Sequence, residues 1–139
     1  MHILIVEARY IGSVTDVLVD GATLALEKAG AEFTRLAMPG ALELPSAIAV
    51  AAGGDDAFDG YVALGCVIGD KAMHDAIYRE ASHGLAALGL SGVAIGNGLV
   101  LAADEGEALV LAQDNDVGGE AVRACLALLT LRDRLGYLK

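Results

Sequence analysis

Apolar Ile3 to Val6 form an unbroken run that stops at Glu7-Ala8-Arg9, the pattern of a short strand buried on both faces. From Ser13 or Thr15, either of which can cap a helix start, Val14, Val17, Leu18, Ala22, Ala25 and Leu26 recur at helical spacing until Gly30 closes the pattern. Glu32 to Ala37 alternates weakly and leads to a turn at Pro39-Gly40, which predicts a second, less buried strand. Pro45 suits the first turn of an Ala-rich helix over Ser46 to Ala52, which dissolves in the acidic surface loop Gly53-Gly54-Asp55-Asp56. Gly60 to Ile68 is the strongest buried-strand signal, followed by a helix from about Met73 to Leu88. A fourth strand is expected over Gly92 to Val100, then a helix around Glu105 to Ala112 and a long one from about Gly119 to Leu135. Strands alternating with helices imply right-handed crossovers and an α/β fold with one parallel sheet, covered by helices on both faces.

A chain of 139 residues fits a single domain spanning 1–139 and is long enough to bury a sizeable core. The formal charge of -10 repels phosphate backbones and anionic lipid, which argues against nucleic acid and membrane as partners. Hydrophobic residues make up 55% of the chain and aromatic ones only 4%, so its apolar content is mostly Ala, Leu and Val. Such residues suit tight helix-on-sheet packing and also subunit interfaces. Cys66 and Cys125 sit in apolar surroundings without metal-ligand or redox-motif spacing, so free buried thiols are expected. The N-terminal apolar run is too short for a signal segment, and no run reaches membrane-span length. These features predict a soluble protein of a reducing cytoplasm.

Two turns carry the candidate chemistry. Pro39-Gly40-Ala41-Leu42-Glu43-Leu44-Pro45 and Gly65-Cys66-Val67-Ile68-Gly69-Asp70-Lys71-Ala72-Met73-His74 each end an apolar β-rich run, setting a carboxylate and an imidazole on separate turns. In an open parallel sheet, loops leaving the carboxyl ends of neighbouring strands converge on one crevice, so the leading expectation is a composite small-molecule site. His74 can act there as general acid or base near neutral pH, or serve as a helix-start histidine bonded locally. Glu43 can orient a polyol or amine, or be a solvated first-turn glutamate favoured by the helix dipole. Gly96-Asn97-Gly98 and Gly118-Gly119 lack the spacing of a dinucleotide fingerprint or a P-loop and read better as turn glycines. His2, His74 and His83 have no mutual metal-ligand spacing, so no metal site is expected.

The ordered set Val6-Glu7-Ala8-Arg9-Tyr10, Pro39 to Pro45, Gly60 to Ile68, Ile95-Gly96-Asn97-Gly98 and Gly118-Gly119-Glu120-Ala121 resembles the 6,7-dimethyl-8-ribityllumazine synthase family of riboflavin biosynthesis. The resemblance runs along nearly the whole chain at near-family spacing. It implies a flavodoxin-like three-layer sandwich that assembles into homopentamers or multiples of them, with active sites shared between neighbouring subunits. It also implies condensation of 5-amino-6-ribitylaminouracil with 3,4-dihydroxy-2-butanone 4-phosphate, without metal or organic cofactor. By position, Tyr10 would stack on the pyrimidine, while Ala41, Leu42 and Glu43 would meet the ribityl chain. Val67 and Ile68 would offer backbone groups to the pyrimidine edge, Asn97 would join the substrate-binding set, and His74 would transfer protons.

The chain departs from its family where phosphate should bind. After Gly-Cys-Val-Ile the family usually reads Arg-Gly-Glu-Thr, whereas this chain has Gly69-Asp70-Lys71-Ala72. Asp70, Lys71 and Ala72 are therefore the candidate phosphate-binding loop. The family's phosphate arginine falls at Leu111, its later lysine at Val117, and the threonine ending the fourth strand's motif at Leu101. A missing charged partner typically costs a few kcal/mol, so Lys71 or Arg79 would have to substitute. One residue fewer between His74 and Glu80 would turn His74 on its helix by about 100°. Three readings stay open: an active lumazine synthase with an unusual phosphate site, an impaired or repurposed paralogue binding a lumazine, flavin or pyrimidine, and a structural assembly protein.

Overall fold

A computed structural model describes residues 1–56 and 58–136. Its elements run β1 (His2–Ala8), α1 (Gly12–Lys28), β2 (Glu32–Met38), a short 3-10 turn (Ala41–Glu43), α2 (Leu44–Ala52), β3 (Gly60–Ile68), α3 (Ala72–Leu90), β4 (Ile95–Ala102), α4 (Glu105–Asp114) and α5 (Val117–Leu135). The four strands are all parallel, in the order β2-β1-β3-β4. On one face Ile3, Ile5, Val62 and Leu64 meet α1, α4 and α5 through Leu18, Leu26, Ala108 and Val122. On the other, Leu4, Val6 and Ala63 meet α2 and α3 through Leu44, Ile48 and Leu85. This is the parallel sheet covered on both faces that the alternation of strands and helices implied, and the three-layer, flavodoxin-like sandwich that the resemblance implied. Each fully buried Ile or Leu contributes about 1.5–3 kcal/mol relative to exposure, and β1 and β3 supply most of those on the sheet.

β2 is the edge strand, largely exposed as its weak alternation predicted. Elsewhere the structure corrects local expectations. Neither Ser13 nor Thr15 caps α1: the Thr15 hydroxyl is buried and donates to the Ala8 carbonyl at 2.6 Å, while the Ser13 hydroxyl donates to Glu105 at 2.8 Å. The helix therefore begins at Gly12, and Thr15 ties it to the end of β1. Gly92-Val93-Ala94 forms no part of β4. Gly92 has φ +99°, a turn conformation that closes α3, and the Val93 N–H bonds back to Leu88. β4 instead continues to Ala102, because Leu101 and Ala102 pair with Val67 and Ile68.

The glycine pairs are packing devices and not turns. Gly118 and Gly119 are buried in the first turn of α5, where a Cβ on Gly118 would overlap the Leu18 carbonyl of α1. Gly96 and Gly98 lie within β4, where a Cβ on Gly96 would overlap the Ala121 carbonyl of α5. Both pairs let backbone approach backbone, so α5 seats closely against the sheet and against α1.

Candidate functional site

The chain passes from β1 to β2 on one side and then from β2 back past β1 to β3 on the other, so β1 and β3 flank the topological switch point where open α/β sheets bind ligands. A cleft of about 360 Å³ opens there, lined by residues of the three turns at the strands' carboxyl ends and of the first turns of α3. Tyr10 and Ile11 follow β1, Gly40 to Glu43 follow β2, Cys66 to Ile68 end β3, and Met73, His74 and Ile77 lie on α3. A slightly larger cavity of about 420 Å³ lies at the opposite, amino ends of the strands, lined by Asp55, Asp59, Tyr61 and Arg132 among others. Its volume is no argument for function. The smaller cleft has the switch-point position and the histidine, and is the stronger candidate.

Each wall has a local cause. Tyr10 is 82% exposed and stands at the mouth with Leu42 and Met73, which are exposed too. Three large side chains are thus left in solvent around one opening. Below Tyr10, β1 runs two residues further than the apolar run, to Ala8, because Glu7 is a buried strand residue and not a terminator. Its carboxylate accepts from Arg35 Nε at 2.7 Å and Nη2 at 2.8 Å, and from Arg9 Nη1 at 3.2 Å. Arg9 in turn donates to Asp16 at 2.7 Å. The hydrogen bonds that Arg35 donates to Glu7 raise its pKa above the usual value. Breaking a buried pair leaves an uncompensated charge, so this network fixes the segment that carries Tyr10.

Glu43 closes the 3-10 turn: its Oε1 accepts from the Gly40 N–H at 2.9 Å. β3 pairs with β1 only as far as Glu7 opposite Leu64. Beyond that register the β1-facing main chain of Cys66 and Ile68 has no strand beside it and borders the cleft, while Val67 is paired to β4. Cys66 shares the wall, but burial, aided by Glu105, pushes its thiol up to about 11, so the thiolate is scarce near neutral pH. Cys66 and Cys125 are both free and buried.

His74, half-buried in the first turn of α3, reaches the cleft despite the shortened segment that follows it. Its Nδ1 accepts from the Lys71 N–H at 3.3 Å. Asp70, Lys71 and Ala72 form the exposed turn into α3 beside the cleft and are not part of its lining. Asn97 is brought neither into the cleft lining nor into the turns that border it. It sits mid-strand on β4 opposite Ala63, donating to Ser82 at 3.3 Å and accepting from the Leu99 N–H at 3.0 Å. Sequence reasoning missed Ile11, Gly40, Cys66, Met73 and Ile77 as lining residues. Met73 and Ile77 share a helix face four residues apart next to His74, a signal that could have found them. Where the resemblance put two phosphate cations, Leu111 and Val117 pack against the α1–α4–α5 core. Among the described residues, no three of the His, Cys, Asp and Glu side chains gather as a metal would require.

The family model for 6,7-dimethyl-8-ribityllumazine synthase matches residues 1–133. A protein of that name from Novosphingobium aromaticivorans is 48% identical over 134 residues, covering 94% of this chain and 96% of its own. Its namesake from Erythrobacter litoralis is 47% identical over 136 residues, covering 96% of each chain. A third, from Sphingopyxis alaskensis, is 44% identical over 138 residues, covering 97% of each.

Proposed function

Because the chain belongs to the 6,7-dimethyl-8-ribityllumazine synthase family, we propose that it is a transferase making this lumazine in riboflavin biosynthesis. The reaction condenses 5-amino-6-ribitylaminouracil with 3,4-dihydroxy-2-butanone 4-phosphate, with loss of phosphate and water. Amine addition to a carbonyl, dehydration and phosphate elimination each move a proton, and none needs a redox step. The protein's task is therefore to hold two reactants in register and to relay protons.

The observation that carries this reading is the gathering of Tyr10, Glu43 and His74, from three separate turns, around one cleft at the sheet's switch point. Tyr10 stacks on the pyrimidine ring and shields it from water. Main-chain groups of Val67 and Ile68 meet the pyrimidine edge. Ala41, Leu42 and Glu43 hold the ribityl chain, with the Glu43 turn pre-set by its bond to Gly40. His74 transfers protons at the condensing atoms.

The turn Asp70-Lys71-Ala72, at the N-terminus of the 19-residue α3, receives the phosphate, with Lys71 the nearest cation by sequence. Asn97 lies on another part of the surface, so its share in substrate binding is to a neighbouring copy's cleft. That arrangement goes with a homopentamer in the cytoplasm, the chain forming one domain over 1–139. The test is to mix the purified protein with both substrates and follow lumazine fluorescence. Turnover is expected, whereas ligand binding without product would indicate a repurposed paralogue and overturn the enzyme reading.

A further inference from the structure

His74 is held by its own loop in a way that its role alone does not require. Gly69, the first residue after β3, has φ +152°, a conformation that side-chain-bearing residues rarely adopt. A Cβ built there would overlap the His74 ring at Nδ1, Cε1 and Cγ. The imidazole thus occupies the space that any other residue at this position would fill. Its Nδ1 edge is turned back onto the loop, accepting from the Lys71 N–H at 3.3 Å. The Gly69 N–H is itself anchored to the Ala102 carbonyl at 2.9 Å, so the loop under the ring is tied to the sheet.

We infer that Gly69 is a positioning residue: its missing side chain lets His74 dock on the β3–α3 turn, where the Lys71 N–H fixes the neutral ring in the Nε2–H tautomer. A neutral imidazole that accepts at Nδ1 carries its proton at Nε2. The docked face holds Nδ1, Cγ and Cε1, which leaves the Nε2–Cδ2 edge for the cleft that the ring lines. The neutral histidine therefore presents a hydrogen-bond donor to bound substrate, and it surrenders the Nε2 proton only as Nδ1 takes one up. To accept a proton at Nδ1 it must first give up the Lys71 bond. Catalytic geometry of this kind is held by groups that never touch substrate, and the chain places two of them, Gly69 and the Lys71 main chain, directly behind the ring.

This inference rests on the proposed proton-transfer role of His74 for its kinetic consequence, but its structural content is testable alone. The protein labelled with 15N-histidine is compared, at a pH where the ring is neutral, with Gly69→Ala, Lys71→Pro and Lys71→Ala. Ring 15N shifts distinguish the tautomers, and hydrogen exchange reports the Lys71 amide. The wild type is expected to show a single Nε2–H tautomer and a protected Lys71 amide. Gly69→Ala should lose both, with kcat reduced by about 10-fold or more and KM for the ribityl substrate within about twofold, the pattern of a displaced proton-transfer group. If Gly69→Ala does not fold, Lys71→Pro decides, since it removes the N–H while leaving Gly69, and it should release the tautomer while Lys71→Ala keeps it. A folded Gly69→Ala or Lys71→Pro protein with the wild-type tautomer and kcat overturns the inference. A wild type that makes no lumazine overturns the functional reading instead and leaves the 15N comparison to judge the docking of His74.

Discussion

Gly96→Ala adds one methyl group inside β4, and its effect can be worked from the seat of α5. The added Cβ would overlap the Ala121 carbonyl and lie 3.2 Å from the Ala121 Cα. Both are helix backbone, held in the α5 hydrogen-bond ladder, so neither can swing aside as a side-chain tip would. The helix has to lift from the sheet by roughly 1 Å, a gap that forfeits a quarter to a half of each contact it opens. Val122, Cys125 and Leu129 of α5 are all buried on that seat.

Overpacking in a well-filled core costs typically about 1–3 kcal/mol, and a clash with backbone belongs at or above the upper end, so a loss of about 3 kcal/mol is expected. Gly89→Ala is the control. Nothing lies within 4 Å of a Cβ there, and the same substitution in α3 should stabilise by up to about 1 kcal/mol through the unfolded chain. Urea unfolding at fixed protein concentration reads both: at a slope of about 2 kcal/mol per molar, Gly96→Ala should move the midpoint down by roughly 1.5 M with the slope unchanged. A Gly96→Ala midpoint within about 0.2 M of wild type would refute the close seating of α5.

Burial raises the Cys125 thiol to about 11, so the fold retains the proton where the unfolded chain has lost it. That stability is fully present below the unfolded thiol's pKa near 9 and drains away between about pH 9 and 11; relative to Cys125→Ala, the wild type should lose an extra ~1.4 kcal/mol between pH 8 and 10 in denaturant titrations. Equal pH slopes for the two proteins would contradict this. Glu43→Gln keeps an oxygen to accept the Gly40 N–H and should melt like wild type, whereas Glu43→Ala should lose about 1 kcal/mol in thermal or urea unfolding, the usual worth of such a cap. Lys71→Ala should raise KM for the sugar phosphate by about 10-fold, the worth of one charge-assisted contact, with little change for the ribityl substrate; steady-state kinetics with each substrate varied in turn provide the check.

The sheet was legible because a parallel strand buried on both faces writes itself as a continuous apolar run, as Gly60 to Ile68 does. The exposure of β2 was legible in its weak alternation. What escaped depends on partners distant in sequence. Glu7 looked like a strand terminator since nothing local shows that Arg35, on the next strand, will neutralise it. Thr15 looked like a cap, but its hydroxyl serves the end of β1 instead. The glycine pairs looked like turns because glycine reports only a need for space, and the backbones that fill it, α1 against α5 and α5 against β4, lie far along the chain. Within the site, Tyr10, Glu43 and His74 could be placed together because strand-end loops converge by topology. Asn97 could not: the expected strand from Gly92 to Val100 already set it away from the converging ends, and only the resemblance drew it into the site.

A crystal structure with 6,7-dimethyl-8-ribityllumazine bound puts the account to its most direct trial. The ring system should lie beside Tyr10 and the main chain of Val67 and Ile68, the ribityl chain along Ala41 to Glu43, and the fused ring within reach of His74 Nε2. Lumazine seated in the cavity at the amino ends of the strands, with the switch-point cleft empty, would contradict it.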